Sequence, residues 1–124
     1  GCAIQLHTEG GEDFTQVGEW AEDRGLPRER VVVHYAQGPI EGAMPSVLAD
    51  EENLEAAAAS GEPFMMETDF LDDPDRPGAV LGPKTVPKRT RWLRNQGHED
   101  AIHTAHVDTP ARVYGVDTEA TLSD

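Results

Sequence analysis

Three short apolar runs, each closing on a side chain able to bind a metal, recur at intervals of about 30 residues, the length of one strand–crossover–strand unit. They are Cys2-Ala3-Ile4-Gln5-Leu6-His7, Val31-Val32-Val33-His34 and Phe64-Met65-Met66-Glu67-Thr68-Asp69. Stretches of helical spacing separate them, and such alternation calls for an α/β fold of parallel strands joined by right-handed crossovers. Parallel strands end at a common edge, so His7, His34 and Asp69 are expected side by side there. A carboxylate inside a buried strand is costly to desolvate. Where the strand leaves the sheet, it faces a mouth that a cation or substrate can fill.

The connecting stretches are read from their periodicity. Glu12 to Arg24 fits a helix with Phe14, Val17, Gly18 and Ala21 on one stripe, stopped by Gly25-Leu26-Pro27. Gly38-Pro39 and Gly42 to Pro45 read as loop, and Ser46-Val47-Leu48-Ala49 as a very short strand. Asp50 caps a helix from Glu51 to Ser60, ended by Gly61 and Pro63. After Asp69 comes an acidic loop with Asp72, Asp73 and Asp75. Val86, Thr90 and Leu93 mark the apolar side of a helix ending near Gly97, and Ala101, Ile102 and Ala105 a shorter one. Asp108-Thr109-Pro110 reads as a cap with proline at the first helical position, opening a last helix that stops at Gly115. The tail after Val116 is expected to be loosely held.

With 124 residues, residues 1–124 make one domain or a piece of one. They are too few for a complete eight-stranded α/β barrel, which needs roughly 200 or more. A start at Gly1, running directly into a strand, points to a fragment. Acidic residues outnumber basic ones 24 to 10, a net charge of −14. Self-repulsion on that scale is relieved by salt, which fits a cytoplasmic protein of a halophilic organism and disfavours charge-driven binding of nucleic acid. Cys2, the one cysteine, excludes an internal disulfide and reads as a small buried hydrophobe. No apolar run approaches the ~18 residues of a membrane span.

The candidate centre is an imidazole–imidazole–carboxylate set: His7, His34 and Asp69. Nitrogen and oxygen ligands of this kind suit Zn, Mn or Fe better than a soft metal. The competing reading is that each histidine merely hydrogen-bonds a loop. Glu67 shares the strand face of Asp69 and either orients a ligand or pairs with an arginine, while Glu9 reads as a solvated loop carboxylate. His98, His103 and His106 read as a solvated helix surface, and Met44, Met65 and Met66 as core or pocket filling. Lys84, Lys88, Arg89, Arg91 and Arg94 either steer an anionic substrate or balance the acidic loop before them.

At these residues the chain resembles the C-terminal half of a TatD-related metal-dependent hydrolase, most closely the haloarchaeal TIM-barrel hydrolases of that group. Ile4-Gln5-Leu6-His7 is similar to the family's strand whose terminal histidine binds metal. Val31-Val32-Val33-His34 with Gly38 resembles the next histidine strand, and Glu67-Thr68-Asp69 the family's Glu-Thr-Asp. Pro83 to Leu93 resembles the lead into the last barrel helix, and Asp108 to Gly115 the closing helix. The resemblance implies a partial (β/α)8 TIM barrel with His7, His34 and Asp69 on a divalent metal (Zn, Mn or Mg). Asp69 would also be catalytic, serving the attacking water. The implied reaction is hydrolysis of a phosphodiester, in DNA or a small molecule, or of another ester or amide bond. The chain departs from the family in lacking His-x-His on a first strand and an upstream bridging Glu. Glu9 stands for the usual Arg, Phe70-Leu71 for a small residue and Pro, and the segment from His34 to Asp69 is short. An N-terminal half, or self-association, is therefore the expected partner. The alternative is a non-catalytic α/β remnant acting as a metal-binding or interaction module.

Overall fold

The computed structural model describes residues 2–7, 14–70, 75 and 81–116. Glu9, Gly10-Gly11, most of the acidic loop and the tail beyond Val116 lie outside them. The strands are β1 (Ile4–Leu6), β2 (Val31–Ala36), β3 (Met44–Leu48) and β4 (Met65–Glu67). They form one sheet in the order β1-β2-β3-β4 with every pairing parallel. Helices α1 (Phe14–Asp23) and α2 (Glu51–Ser60) make two of the crossovers. The architecture is α/β, as the alternation of runs requires.

Each strand reads as its position dictates. Val31, Val32 and Val33 are at most 2% exposed, the continuous burial of an inner parallel strand covered on both faces. β1, at the sheet's edge, leaves Ile4 46% exposed. Cys2 just before it is also exposed, contrary to the expected burial: nothing pairs with that edge among the described residues.

β3 is longer than its sequence suggested, and it takes in Met44 and Pro45 rather than starting after them. Proline in an inner strand normally breaks a ladder. Here pairing with β4 begins only at Ser46, so Pro45 precedes the ladder that its missing N–H would interrupt. The consequence is topological: β3 stands between β2 and β4, so the strands carrying His34 and Asp69 are not direct neighbours.

The register sorts the side chains onto two faces. Val47 shares its face with Met66, and that side packs Ala36, Val47, Leu54, Ala57, Phe64, Leu93, Ile102 and Ala105 into the main core. α2, α3 (Thr85–Asn95) and α4 (Glu99–His103) supply the helical part of it. On the opposite face Val32, Met44 and Met65, all at or near strand starts, pack with Val113 of α5 (Thr109–Tyr114). The three methionines are buried or half-buried, as expected for filling.

α2 follows its sequence closely. Asp50 accepts the Asn53 N–H at 2.9 Å, and Gly61 closes the helix in the left-handed region at φ 71°. The expected cap at Asp108, however, is not formed. Asp108 is helical and makes no capping bond; a π-helical turn, Thr104–Asp108, joins α4 to α5 without a break. Pro110 has no N–H for the carbonyl four residues back and its ring crowds that carbonyl. A wider turn relieves both, which a stop-and-restart reading of Asp-Thr-Pro overlooks. No helix among the described residues is long and apolar enough to cross a membrane.

Candidate metal centre

β2 departs from regular pairing at its exit. Val33 pairs with Pro45, but Ala36 pairs with Val47, so His34 and Tyr35 together oppose Ser46. This is a β-bulge, rare in parallel pairs and frequent beside functional sites. Tyr35 takes the extra step with φ 60°, a conformation that bulky residues seldom adopt. The bulge sends Ala36 into the helix-side core and leaves His34 on the other face with Val32.

A second left-handed residue sits opposite. Asp69, at φ 49°, lies two residues beyond the end of β4, and aspartate tolerates that region better than most. The turn brings its carboxylate back toward β2, over the end of the intervening β3.

These two exits place the site. His34 Nδ1 lies 3.4 Å from Glu67 Oε2 and 3.8 Å from Asp69 Oδ1. Glu67 Oε1 accepts the Tyr35 N–H at 3.0 Å. His34, Glu67 and Asp69 each offer a ligand atom within 4.8 Å of the others. His7, just past β1, meets the opposite edge of the same imidazole: its Nδ1 faces His34 Nε2, with ring centroids 4.5 Å apart and planes at 28°. All three residues expected at the common edge are there, linked through His34. His7 and Asp69 meet different nitrogens of that ring.

Burial grades across the cluster. The side chains of His34 and Glu67 are 11% and 16% exposed, while that of Asp69 is 37% exposed and His7 is open to solvent. Two nearly covered polar groups stand against two that solvent reaches. The donors within reach of one another, the His34 imidazole with the Glu67 and Asp69 carboxylates, suit a borderline or hard divalent cation. These residues therefore fit such an ion, and His7 adds an imidazole on the far side of the His34 ring.

Glu67 contacts no arginine among the described residues; it faces His34 and the Tyr35 amide. That amide was missed from sequence, because only the bulge aims it. The spacing of Glu67 from Asp69 was the available signal for the carboxylate itself.

The other candidates are engaged elsewhere. His98 contacts Glu55 at 3.0 Å, His103 meets Asp108 at 3.1 Å and His106 meets Thr90 at 2.8 Å, so the three histidines have three separate partners. Covering of its ring pushes His106 below its ordinary pKa, although the residue as a whole stays exposed. Arg89 binds Glu51 at 2.6 Å and the Ala49 carbonyl at 3.3 Å, and Arg94 binds Glu99. Lys84, Lys88 and Arg91 are exposed.

No family model matches the chain, and no solved structure matches it. The chain is similar to the uncharacterized protein MJ1127 of Methanocaldococcus jannaschii, 40% identical over an alignment 128 positions long that covers 96% of this chain and 45% of that protein. It thus spans less than half the length of this relative.

Proposed function

We propose that the chain is the C-terminal part of a TatD-related, metal-dependent hydrolase built as a TIM barrel. The observation that carries this reading is the convergence of His7, His34 and Asp69 at the C-terminal edge of one parallel sheet, the edge where such folds place their chemistry. Four consecutive parallel strands, with α2, α3 and α4 packed on one face, suit part of a barrel wall. The match to less than half of a longer relative fits a site completed by further chain. An N-terminal half would supply the other strands, or a second copy would cover the open β1 edge.

In this reading His7, His34 and Asp69 would hold Zn, Mn or Mg. His7 stands on the Nε2 side of the His34 ring and Asp69 on the Nδ1 side, so a single ion shared by all three requires one of these two solvent-reached side chains to turn toward the other. A divalent cation in such a set acidifies water and polarises the bond to be cut. The imidazoles bind as neutral donors through their ring nitrogens. Asp69, the more exposed carboxylate, is placed to accept the proton of the attacking water. The buried edge formed by His34 and Glu67 keeps bulk water from that side. The proposed substrate is a phosphodiester, in a small molecule or in DNA, with another ester or amide as the wider class.

Metal analysis of the purified chain beside His34→Ala and Asp69→Asn tests the centre. We expect bound divalent metal in the parent chain, with affinity at least roughly 100-fold weaker in each variant, beyond the usual loss from an outer partner. Equal metal content in all three proteins would remove these residues from the site. Metal binding by a chain carrying all the barrel strands, without hydrolysis of any phosphodiester offered, would favour a metal-binding module over an enzyme.

A further inference from the structure

We infer that Glu67 is a positioning residue that fixes His34 with its proton on Nδ1, so that Nε2 is the nitrogen offered to a cation. This rests on the metal-centre reading above and assigns the side of the ring from which the ion is held.

Both oxygens of the Glu67 carboxylate are engaged. Glu67 closes β4, with Leu48 of β3 as its register partner. From there it reaches past β3 to β2, where Oε1 accepts the Tyr35 N–H at 3.0 Å and Oε2 lies 3.4 Å from His34 Nδ1. The Tyr35 amide can only donate. Its bond holds the left-handed residue of the bulge, and thereby the backbone that aims His34. An ionised carboxylate only accepts, so a neutral His34 that bonds Glu67 must carry its proton on Nδ1. Its lone pair is then on Nε2, which faces His7.

Burial reinforces the choice. Glu67 and His34 are the two most covered members of the cluster, so a hydrogen bond between them is little challenged by water. A histidine ligand commonly donates its other ring N–H to a carboxylate, which sets tautomer and orientation together. The competing arrangement uses His34 Nδ1 as a donor to the ion, with Glu67 and Asp69 as fellow ligands, since those three also lie within reach of one another. It would give up the hydrogen bond between His34 and Glu67 Oε2. It would also leave Nε2 to carry the proton toward His7.

The test reads the ring nitrogens directly. Histidine is labelled with nitrogen-15 in the 124-residue chain, and long-range proton–nitrogen spectra are recorded at pH 8 without metal, then with added Zn2+. The expected result is a His34 proton on Nδ1 in the metal-free protein and a zinc response at Nε2. In Glu67→Ala the proton should shift toward Nε2, the Tyr35 amide should lose its hydrogen-bonded shift, and zinc should bind roughly 10–100-fold more weakly. Glu67→Gln should recover part of that loss, since its one carbonyl oxygen can accept from Nδ1 or from Tyr35.

A His34 proton on Nε2 in the parent protein, or a zinc response at Nδ1, overturns the inference. So does a Glu67→Ala variant that keeps both tautomer and zinc affinity. Should that variant not fold, the parent spectra alone decide. A parent protein that shows the Nδ1 proton but binds no zinc defeats the metal-centre reading while upholding the control of His34 by Glu67.

Discussion

Thr109 is 1% exposed, and its hydroxyl has no hydrogen-bond partner among the described residues. A buried hydroxyl without a partner forfeits its solvation. Replacing it by valine, nearly the same shape, removes that cost. Thr109→Val is therefore expected to be neutral or to raise stability by up to about 1 kcal/mol, measured by urea unfolding; a loss beyond that range would mean that the hydroxyl is satisfied. His106 has the opposite character, a polar group with a partner. Thr90 Oγ1 lies 2.9 Å from the Val86 carbonyl, so its one hydrogen is committed there and His106 Nε2 donates to it. Burial lowers the His106 pKa from 6.5, so between the folded and unfolded values the unfolded chain binds more protons. Its contribution is complete above about pH 6.5 and is lost as pH falls from there toward the folded value. His106→Gln should flatten that part of the pH dependence, checked by denaturation at pH 8 and pH 5.

At the scale of elements, what could be read from sequence followed from local rules. β2 announces itself because three successive valines suit only a buried strand, and α2 because Asp50 and Gly61 are both chemically suited to its two ends. What could not be read depended on distant partners. Pro45 enters β3 because of where β4 begins to pair, and Asp108 fails as a cap because Pro110 and the neighbouring packing favour a continuous helix. The candidate site divides in the same way: His7, His34 and Asp69 were visible as strand exits, whereas the Tyr35 amide depends on a bulge that alternation alone does not reveal. Close approach gives a further test. A Cβ on Gly18 of α1 would fall 2.3 Å from the Gly42 carbonyl oxygen, a backbone atom with little room to yield. Despite alanine's better helix propensity, Gly18→Ala should destabilise by about 1–3 kcal/mol, as overpacking does. A melting temperature equal to the parent's would show that α1 can slide away from that loop.

For the whole molecule, charge sets the working conditions. A net charge of −14 on 124 residues opposes compaction, and salt shortens the range of that repulsion to about 3 Å at 1 M. The midpoint of thermal unfolding should therefore rise steadily between low salt and molar KCl; a flat or falling response would show that ion pairs such as Arg28–Glu22 and Arg89–Glu51 outweigh the surplus. The sheet itself is asymmetric. Its helix-covered face and the strand starts near Val113 hold the apolar contacts, while the strand exits hold the titratable groups. On the face of Val113, apolar packing and titratable groups occupy opposite ends of the same strands.

That separation gives Tyr35 an unusual status. With it removed, His34 would oppose Ser46 and Ala36 would still oppose Val47, leaving an uninterrupted ladder. The scaffold has no need of this amino acid; only the arrangement at the rim does. On the proposed metal-centre reading, a one-residue deletion there should yield a protein that melts no lower than its parent yet binds zinc more weakly. Resistance to heat and competence to bind would then have been uncoupled by a single codon, whereas a lower melting temperature would show that the bulge serves the scaffold after all.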